Sequence, residues 1–210
     1  MTSILDYLLN QYNEYSTLNI LLEFIAVILG LASVWLSKQN NVLVYPTGMI
    51  STLIFVYLLF HQQLIGDMII NAYYFLMSIY GWYYWIKRKD GVIVNRIQKS
   101  TNEEYKISLV LFISSVIFVY LIYNFFVMWN NKIAYIDTLT TGIFFVAMWL
   151  MARRKLEHWF LWIIGDLISI PLYFYKGLIL TSFQYIIFTT IAIAGYFAWK
   201  KEIKYQKGNV

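Results

Sequence analysis

Two tryptophans and one carboxylate, Trp159, Trp162 and Asp166, interrupt the apolar stretch His158–Tyr175, which reads HWFLWIIGDLISIPLYFY. On a helix advancing 100° per residue, positions i, i+3 and i+7 share one face. An aspartate at the centre of a membrane span costs about 2.5–3.5 kcal/mol on insertion scales, so it marks a functional position. Flat π-faces beside an anion suit a planar small molecule that is neutral or cationic. An earlier apolar run carries a second polar stripe: Asp67, Asn71, Tyr74 and Ser78 recur at steps of four, three and four, and Trp82 extends it. Asp137, Thr140 and Thr141 open a later run, Thr181, Gln184 and Tyr185 lie in the last, and Glu23 lies in the first. The candidate binding set is Trp159, Trp162, Asp166, Asn71, Asp67, Tyr74, Gln184 and Thr141. Ring faces stack on the tryptophans in this reading, while Asn71, Gln184 and Asp166 hydrogen-bond hydroxyl, amine or amide groups.

The signs of the charges narrow the ligand. Carboxylates lie within apolar runs, whereas every lysine and arginine lies at a run's end or between runs. A site for phosphate, nucleotide or an organic anion calls for a buried basic group or a glycine-rich anion nest. There is no Walker A sequence, no cysteine and no mid-span histidine, so the expectation is no catalytic residue, no cofactor and no metal. His61 and His158 sit at run boundaries without metal-ligand spacing.

Each candidate has a plainer reading. A tryptophan pair at i, i+3 is often packing or an interfacial anchor, and Asn71 is often helix–helix glue. Asp137 and Glu23 read as structural, Pro46 and Pro171 as kinks, and Arg153-Arg154-Lys155 as a topology signal.

Membrane helices are what such side chains need to hold them. Of 210 residues, 60% are hydrophobic, 20% aromatic and 13% charged; a soluble domain has about 25% charged. Seven runs, near 18–37, 42–60, 64–86, 107–128, 133–152, 159–175 and 178–199, each approach the ~20 residues that span a bilayer. Residues 1–17 read as an interfacial helix without a signal-peptide pattern. The long polar segment from 87, with the fourth run up to 132, links 18–86 to 133–199, and 200–210 is a tail. With the N-terminus outside, 14 of the 16 basic residues fall on the cytoplasmic side, and only Lys132 and Lys176 do not. No charge cluster forms a nucleic-acid footprint.

Sliding the chain by 114 residues superposes Trp35-Leu36 on Trp149-Leu150, Gly81 on Gly195 and Trp85 on Trp199. Ile54 meets Ile168, Phe60 meets Phe174, and Ile79 meets Ile193. Spans one to three thus repeat as five to seven around an inserted fourth, a parallel 3+1+3 arrangement that places a transporter's site between its halves. The fold class expected is an all-α membrane protein of seven transmembrane helices.

The Trp159-x-x-Trp162-x-x-x-Asp166 run, the Tyr80-Gly81-Trp82-x-x-Trp85 helix end and the 3+1+3 repeat together resemble the PnuC family of bacterial vitamin transporters. The likeness runs from Glu23 to Trp199. It implies a SWEET-like fold in the inner membrane, a homotrimer, and uptake of nicotinamide riboside by facilitated diffusion. It further implies that cytoplasmic kinases trap the vitamin, and that related branches carry thiamine or riboflavin. Trp159 and Trp162 match the pair lining that family's site. Asp166 falls where the nicotinamide riboside branch often has asparagine, and Asn71 where it can have glutamine. A carboxylate in place of an amide suits an aminopyrimidine or a cation, so nicotinamide riboside stands first and thiamine second. Of other classes, a binder or sensor without transport retains the same stripes, and an intramembrane enzyme lacks a nucleophile–base pair.

Overall fold

Long apolar runs without water must satisfy their backbone internally, and here they do so as helices. The computed structural model describes residues 16–61, 65–89, 91–125, 133–175 and 179–208. The interfacial helix expected over 1–17, apart from its last two residues, lies outside them, as do Lys132 and Lys176. The described helices are α1 (Thr17–Lys38), α2 (Val44–His61), α3 (Ile65–Ile86), α4 (Asn102–Phe125), α5 (Ile133–Ala152), α6 (His158–Tyr175) and α7 (Ile179–Gly208). Two short antiparallel strands, β1 (Arg88–Lys89) and β2 (Val92–Ile93), follow α3.

Helix ends account for most differences from the expected runs. Thr101 and Glu104 form a capping box: the Thr101 N–H donates to Glu104 Oε2 at 2.9 Å and the Glu104 N–H to Thr101 Oγ1 at 3.3 Å. That box starts α4 at Asn102, ahead of its apolar run. At the far end of the chain, α7 continues through the expected tail because Lys200, Lys201, Glu202, Lys204 and Gln206 favour helix, and Gln206 bonds Glu202 at 3.1 Å. Pro46 is not a kink. It lies in the first turn of α2, where no intrahelical N–H is needed. Pro171 lies inside α6.

α1 packs on α2 and α2 on α3; α5 packs on α6 and α6 on α7. The two triplets meet through α1 against α7 and α3 against α5, while α4 lies chiefly on α5. Large apolar side chains such as Leu18, Phe24, Leu53, Leu109, Val110 and Phe183 point outward, an arrangement that suits lipid. Five stretches are long and apolar enough to cross a membrane: α1, α2, α4, α5 and Thr181–Gln206 of α7. The other two, α3 and α6, carry the aromatic and polar stripes.

The most buried cluster sits where α1, α3, α5 and α7 end and α2, α4 and α6 begin, which we call the basic end. Tyr45, Trp85, Met148, Leu156, Trp159, Ala192 and Trp199 pack there. Tyr45 and Trp159 lie so close to Gly81 and Gly195 that any Cβ at either glycine would strike the ring.

Two turns at this end are built alike. In the first, Gln39, Asn40, Asn41, Val44 and Tyr45 donate to the carbonyls of Trp35, Ser37, Leu36, Asn41 and Val42 at 2.9–3.2 Å. In the second, Arg153, Arg154, Lys155, His158 and Trp159 donate to Trp149, Met151, Leu150, Lys155 and Leu156 at 2.9–3.3 Å. Every donor and acceptor is displaced by 114 positions. The one non-glycine residue with positive φ in each turn, Asn40 at 54° and Arg154 at 56°, obeys the same offset.

Among the described residues, only the second turn is strapped. The Gln98 N–H donates to the Arg154 carbonyl at 3.1 Å and the Leu156 N–H to the Gln98 carbonyl at 2.9 Å. Ser100 donates its N–H and hydroxyl to Glu157 Oε2, both at 2.8 Å. Arg154 bonds the Asn95 carbonyl at 2.5 Å and lies 4.2 Å from the Trp85 ring centre. Burial pushes its guanidinium pKa down. Glu104 pairs with Lys155 at 3.0 Å and Arg153 at 3.2 Å.

Candidate functional site

The helical spacing that places Trp159, Trp162 and Asp166 on one face of α6 extends to Ser169, and the four meet different surroundings. Trp159 is 1% exposed and packs in the basic-end cluster. Its ring stands edge-on to Trp199, centroids 5.7 Å apart, and 4.4 Å from His158. His158 Nδ1 donates to the Lys155 carbonyl at 2.6 Å.

One turn farther on, Trp162 enters an aromatic box. Phe144 of α5 stacks on it at 5.3 Å, and Tyr74 of α3 meets it edge-on at 6.0 Å. Phe144 is also parallel to Tyr185 of α7, 9° between planes and 6.2 Å between centroids, and Tyr185 lies 5.1 Å from Tyr173. Gly165 lets Phe144 lie against α6, since a Cβ there would overlap the Phe144 ring. Asp166 is 2% exposed, makes no hydrogen bond to a described residue, and is within electrostatic reach of Tyr74 and Tyr185. Ser169 is 1% exposed with its hydroxyl unpartnered.

The structure therefore brings Tyr74, Trp162 and Asp166 together. Asp67 acts electrostatically on Tyr74, Tyr173 and Tyr185 from farther along α3. Asn71 donates to the Asp67 carbonyl at 2.9 Å, which occupies one of its donors within α3. Thr141 donates to the Asp137 carbonyl at 2.7 Å and borders a void of about 10 Å³ with Val119, Tyr123 and Phe145, on the α4 side of α5. Gln184 is half-buried on α7. Phe144, Tyr185 and Ser169 complete the box but were not in the candidate set. Ser169 was legible, lying ten residues after Trp159 on the same stripe; Phe144 carried no polar signal at all.

A helical bundle of membrane-spanning length with an aromatic box and one buried carboxylate defines a multi-pass membrane transporter. The chain belongs to the nicotinamide mononucleotide transporter family, whose sequence profile matches residues 20–201. It is 26% identical over 211 residues to the nicotinamide riboside transporter PnuC of Escherichia coli, covering 85% of this chain and 84% of that one. It is 24% identical over 184 residues to the riboflavin/roseoflavin transporter RibM of Streptomyces davaonensis, covering 84% and 83%. The crystal structure of the vitamin B3 transporter PnuC matches with a TM-score of 0.66 at 22% identity, over 95% of this chain and 89% of that chain.

Proposed function

We propose that the chain takes up nicotinamide riboside across the bacterial inner membrane by facilitated diffusion with alternating access. The observation that carries this reading is the box of Tyr74, Phe144, Trp162 and Tyr185 around Asp166, which offers ring faces to a flat base and an acceptor to its polar edge. Asn71, Asp67 and Gln184 supply the polar contacts for the ribose, Thr141 supports α5, and Trp159 forms the site's boundary toward the basic end. The substrate named for the Escherichia coli relative supports nicotinamide riboside. The carboxylate at 166 favours thiamine as the second reading, since an aminopyrimidine donates where an amide would only partly accept.

The 114-residue correspondence of the two basic-end turns supports a parallel 3+1+3, SWEET-like repeat whose halves rock about the box. The charge asymmetry of the sequence supports an external N-terminus and a cytoplasmic basic end. A homotrimer, with a cytoplasmic kinase consuming the product, completes the reading.

Counterflow of labelled nicotinamide riboside and thiamine in proteoliposomes tests it. Exchange of nicotinamide riboside is the expected result. Binding without exchange would assign a sensor or binder, and exchange of thiamine alone would reverse the order of substrates.

A further inference from the structure

Hydroxyls on the helices beside α6 are held by backbone carbonyls. Thr138 and Thr141 of α5 donate to the carbonyls four residues earlier, at 2.8 and 2.7 Å, and Thr189 of α7 does the same at 2.8 Å. Ser182 of α7 reaches across to the Ile170 carbonyl of α6 at 2.9 Å. Ser169, the one serine or threonine of α6, departs from this pattern. The Gly165 carbonyl, four residues back, offers it the same bond, yet its hydroxyl makes none to a described residue and the side chain is 1% exposed. A buried hydroxyl without a partner weakens a fold, so its place here points to another use. Its direction shows where that use lies. Ser169 stands seven residues after Trp162, so it points within about 20° of the same way and lies about 10.5 Å farther from the basic end. Asp166 falls between them, and Tyr173, four residues beyond Ser169, lies against Tyr185 of α7 at 5.1 Å. Since α3 runs the opposite way, Asp67, seven residues before the Tyr74 that meets Trp162, reaches the depth of Ser169.

We propose that Ser169 is the residue by which the site demands a hydroxyl on its cargo, and that the cargo lies along α6 with its flat ring at Trp162 and its hydroxyl-bearing end at Ser169, pointing away from the basic end. A ring joined to a pentose spans that distance. The stacking half of the box accepts any flat ring, because every such ring has a π-face. Discrimination therefore falls to the polar half, where a serine hydroxyl both donates and accepts and so matches a sugar hydroxyl in either sense. Cargo that carries a hydroxyl at this depth relieves the unpaired serine on binding, and an analogue without it does not. Asp166 and Ser169 are both closed from solvent, so cargo reaches them as the two halves part. The inference rests on the transport reading above for the identity of ring and sugar, and on the geometry of α6 for the demand for a hydroxyl.

Calorimetry on the purified full chain, native and Ser169→Ala, tests this. The probes are nicotinamide riboside, its 2′-, 3′- and 5′-deoxy analogues and the N-methylnicotinamide cation, which keeps the ring without the sugar. Thiamine and riboflavin are added, each with a counterpart lacking its side-chain hydroxyls. Ser169→Ala is expected to keep its helicity and thermal midpoint and to bind nicotinamide riboside about tenfold more weakly. One deoxy analogue should bind the native protein about tenfold more weakly and lose less than about twofold further in Ser169→Ala, while the other two lose the full factor. Binding of N-methylnicotinamide should change by less than about twofold. Undiminished binding of the hydroxylated vitamin by Ser169→Ala, or an equal loss for it and every counterpart, overturns the proposal. If nicotinamide riboside does not bind, but thiamine or riboflavin does and is weakened in Ser169→Ala while its counterpart is not, the substrate reading falls and the hydroxyl inference stands. If no hydroxylated probe binds the native protein, both fall.

Discussion

Trp85 and Trp199 reach across the molecule in opposite directions: Trp85 donates its indole N–H to the Ala152 carbonyl at 3.1 Å, and Trp199 donates to the Ser37 carbonyl at 2.9 Å. Each indole belongs to one helix triplet and caps the end of a helix in the other. Both are nearly inaccessible, and their rings lie 5.8 Å apart. Polar groups at a buried helix end must be satisfied, so this exchange fastens the triplets where their ends converge.

Replacing either indole by phenylalanine keeps the aromatic volume but removes a donor; the Ala152 carbonyl loses its indole partner, whereas the Ser37 carbonyl keeps the Asn40 N–H. Trp85→Phe should cost about 1–3 kcal/mol and Trp199→Phe about 0.5–1.5 kcal/mol, each read as a lower thermal midpoint in detergent. Because the rings touch, the double variant should lose measurably less or more than the sum, whereas independent sites would add.

The two tryptophans of α6 should separate in their effects. Trp159→Ala removes a fully packed ring and is expected to destabilise by about 3–5 kcal/mol. Trp162→Ala, half-buried at the box, should weaken vitamin binding by about tenfold while leaving the thermal midpoint close to native. A Trp162→Ala protein that binds normally would remove this residue from the site.

Gly195→Ala places a methyl 2.5 Å from the Trp159 ring. The ring or the helix must move, at a cost of about 1–3 kcal/mol, and Trp159→Leu should recover part of it by making room. Thermal midpoints of the single and double variants test this directly.

Two acidic neighbours at the start of α4 should behave differently. Glu104 and Lys155 are about 7% and 6% exposed in their side chains, so Glu104→Gln leaves a buried ammonium short of its partner and should cost about 3–5 kcal/mol. Glu103 pairs with Lys106 at the surface, where both are more than 70% exposed. Glu103→Gln should change stability by well under about 1 kcal/mol, a contrast that chemical denaturation or thermal shift resolves.

Much of the helix layout was legible because it follows from run length. The spans at 18–37, 64–86 and 133–152 fall within a residue of α1, α3 and α5. The register of Gly81 with Gly195 and Trp85 with Trp199 was legible for a physical reason now visible: each glycine underlies one ring and each tryptophan caps one helix end. The box was half legible. Spacing within α6 shows which of its residues share a face, but not which face of α5 or α7 meets them, so Phe144 was missed and Tyr185 was left outside the set. Nor could spacing distinguish Trp159, one turn nearer the basic end, from Trp162. The strap over residues 95–100 carries no periodicity, and its backbone hydrogen bonds to 154–157 depend on tertiary placement alone.

α7 runs 30 residues without a break, about 45 Å, against roughly 30 Å of hydrocarbon. Its last turns project beyond the basic end as helix. For electron cryomicroscopy, where a 25.0 kDa protein buried in a micelle offers little to align on, this projection is a ready splice point. A helical domain fused in phase at Gly208 would ride on α7 as one rigid body and serve as a fiducial for the whole bundle.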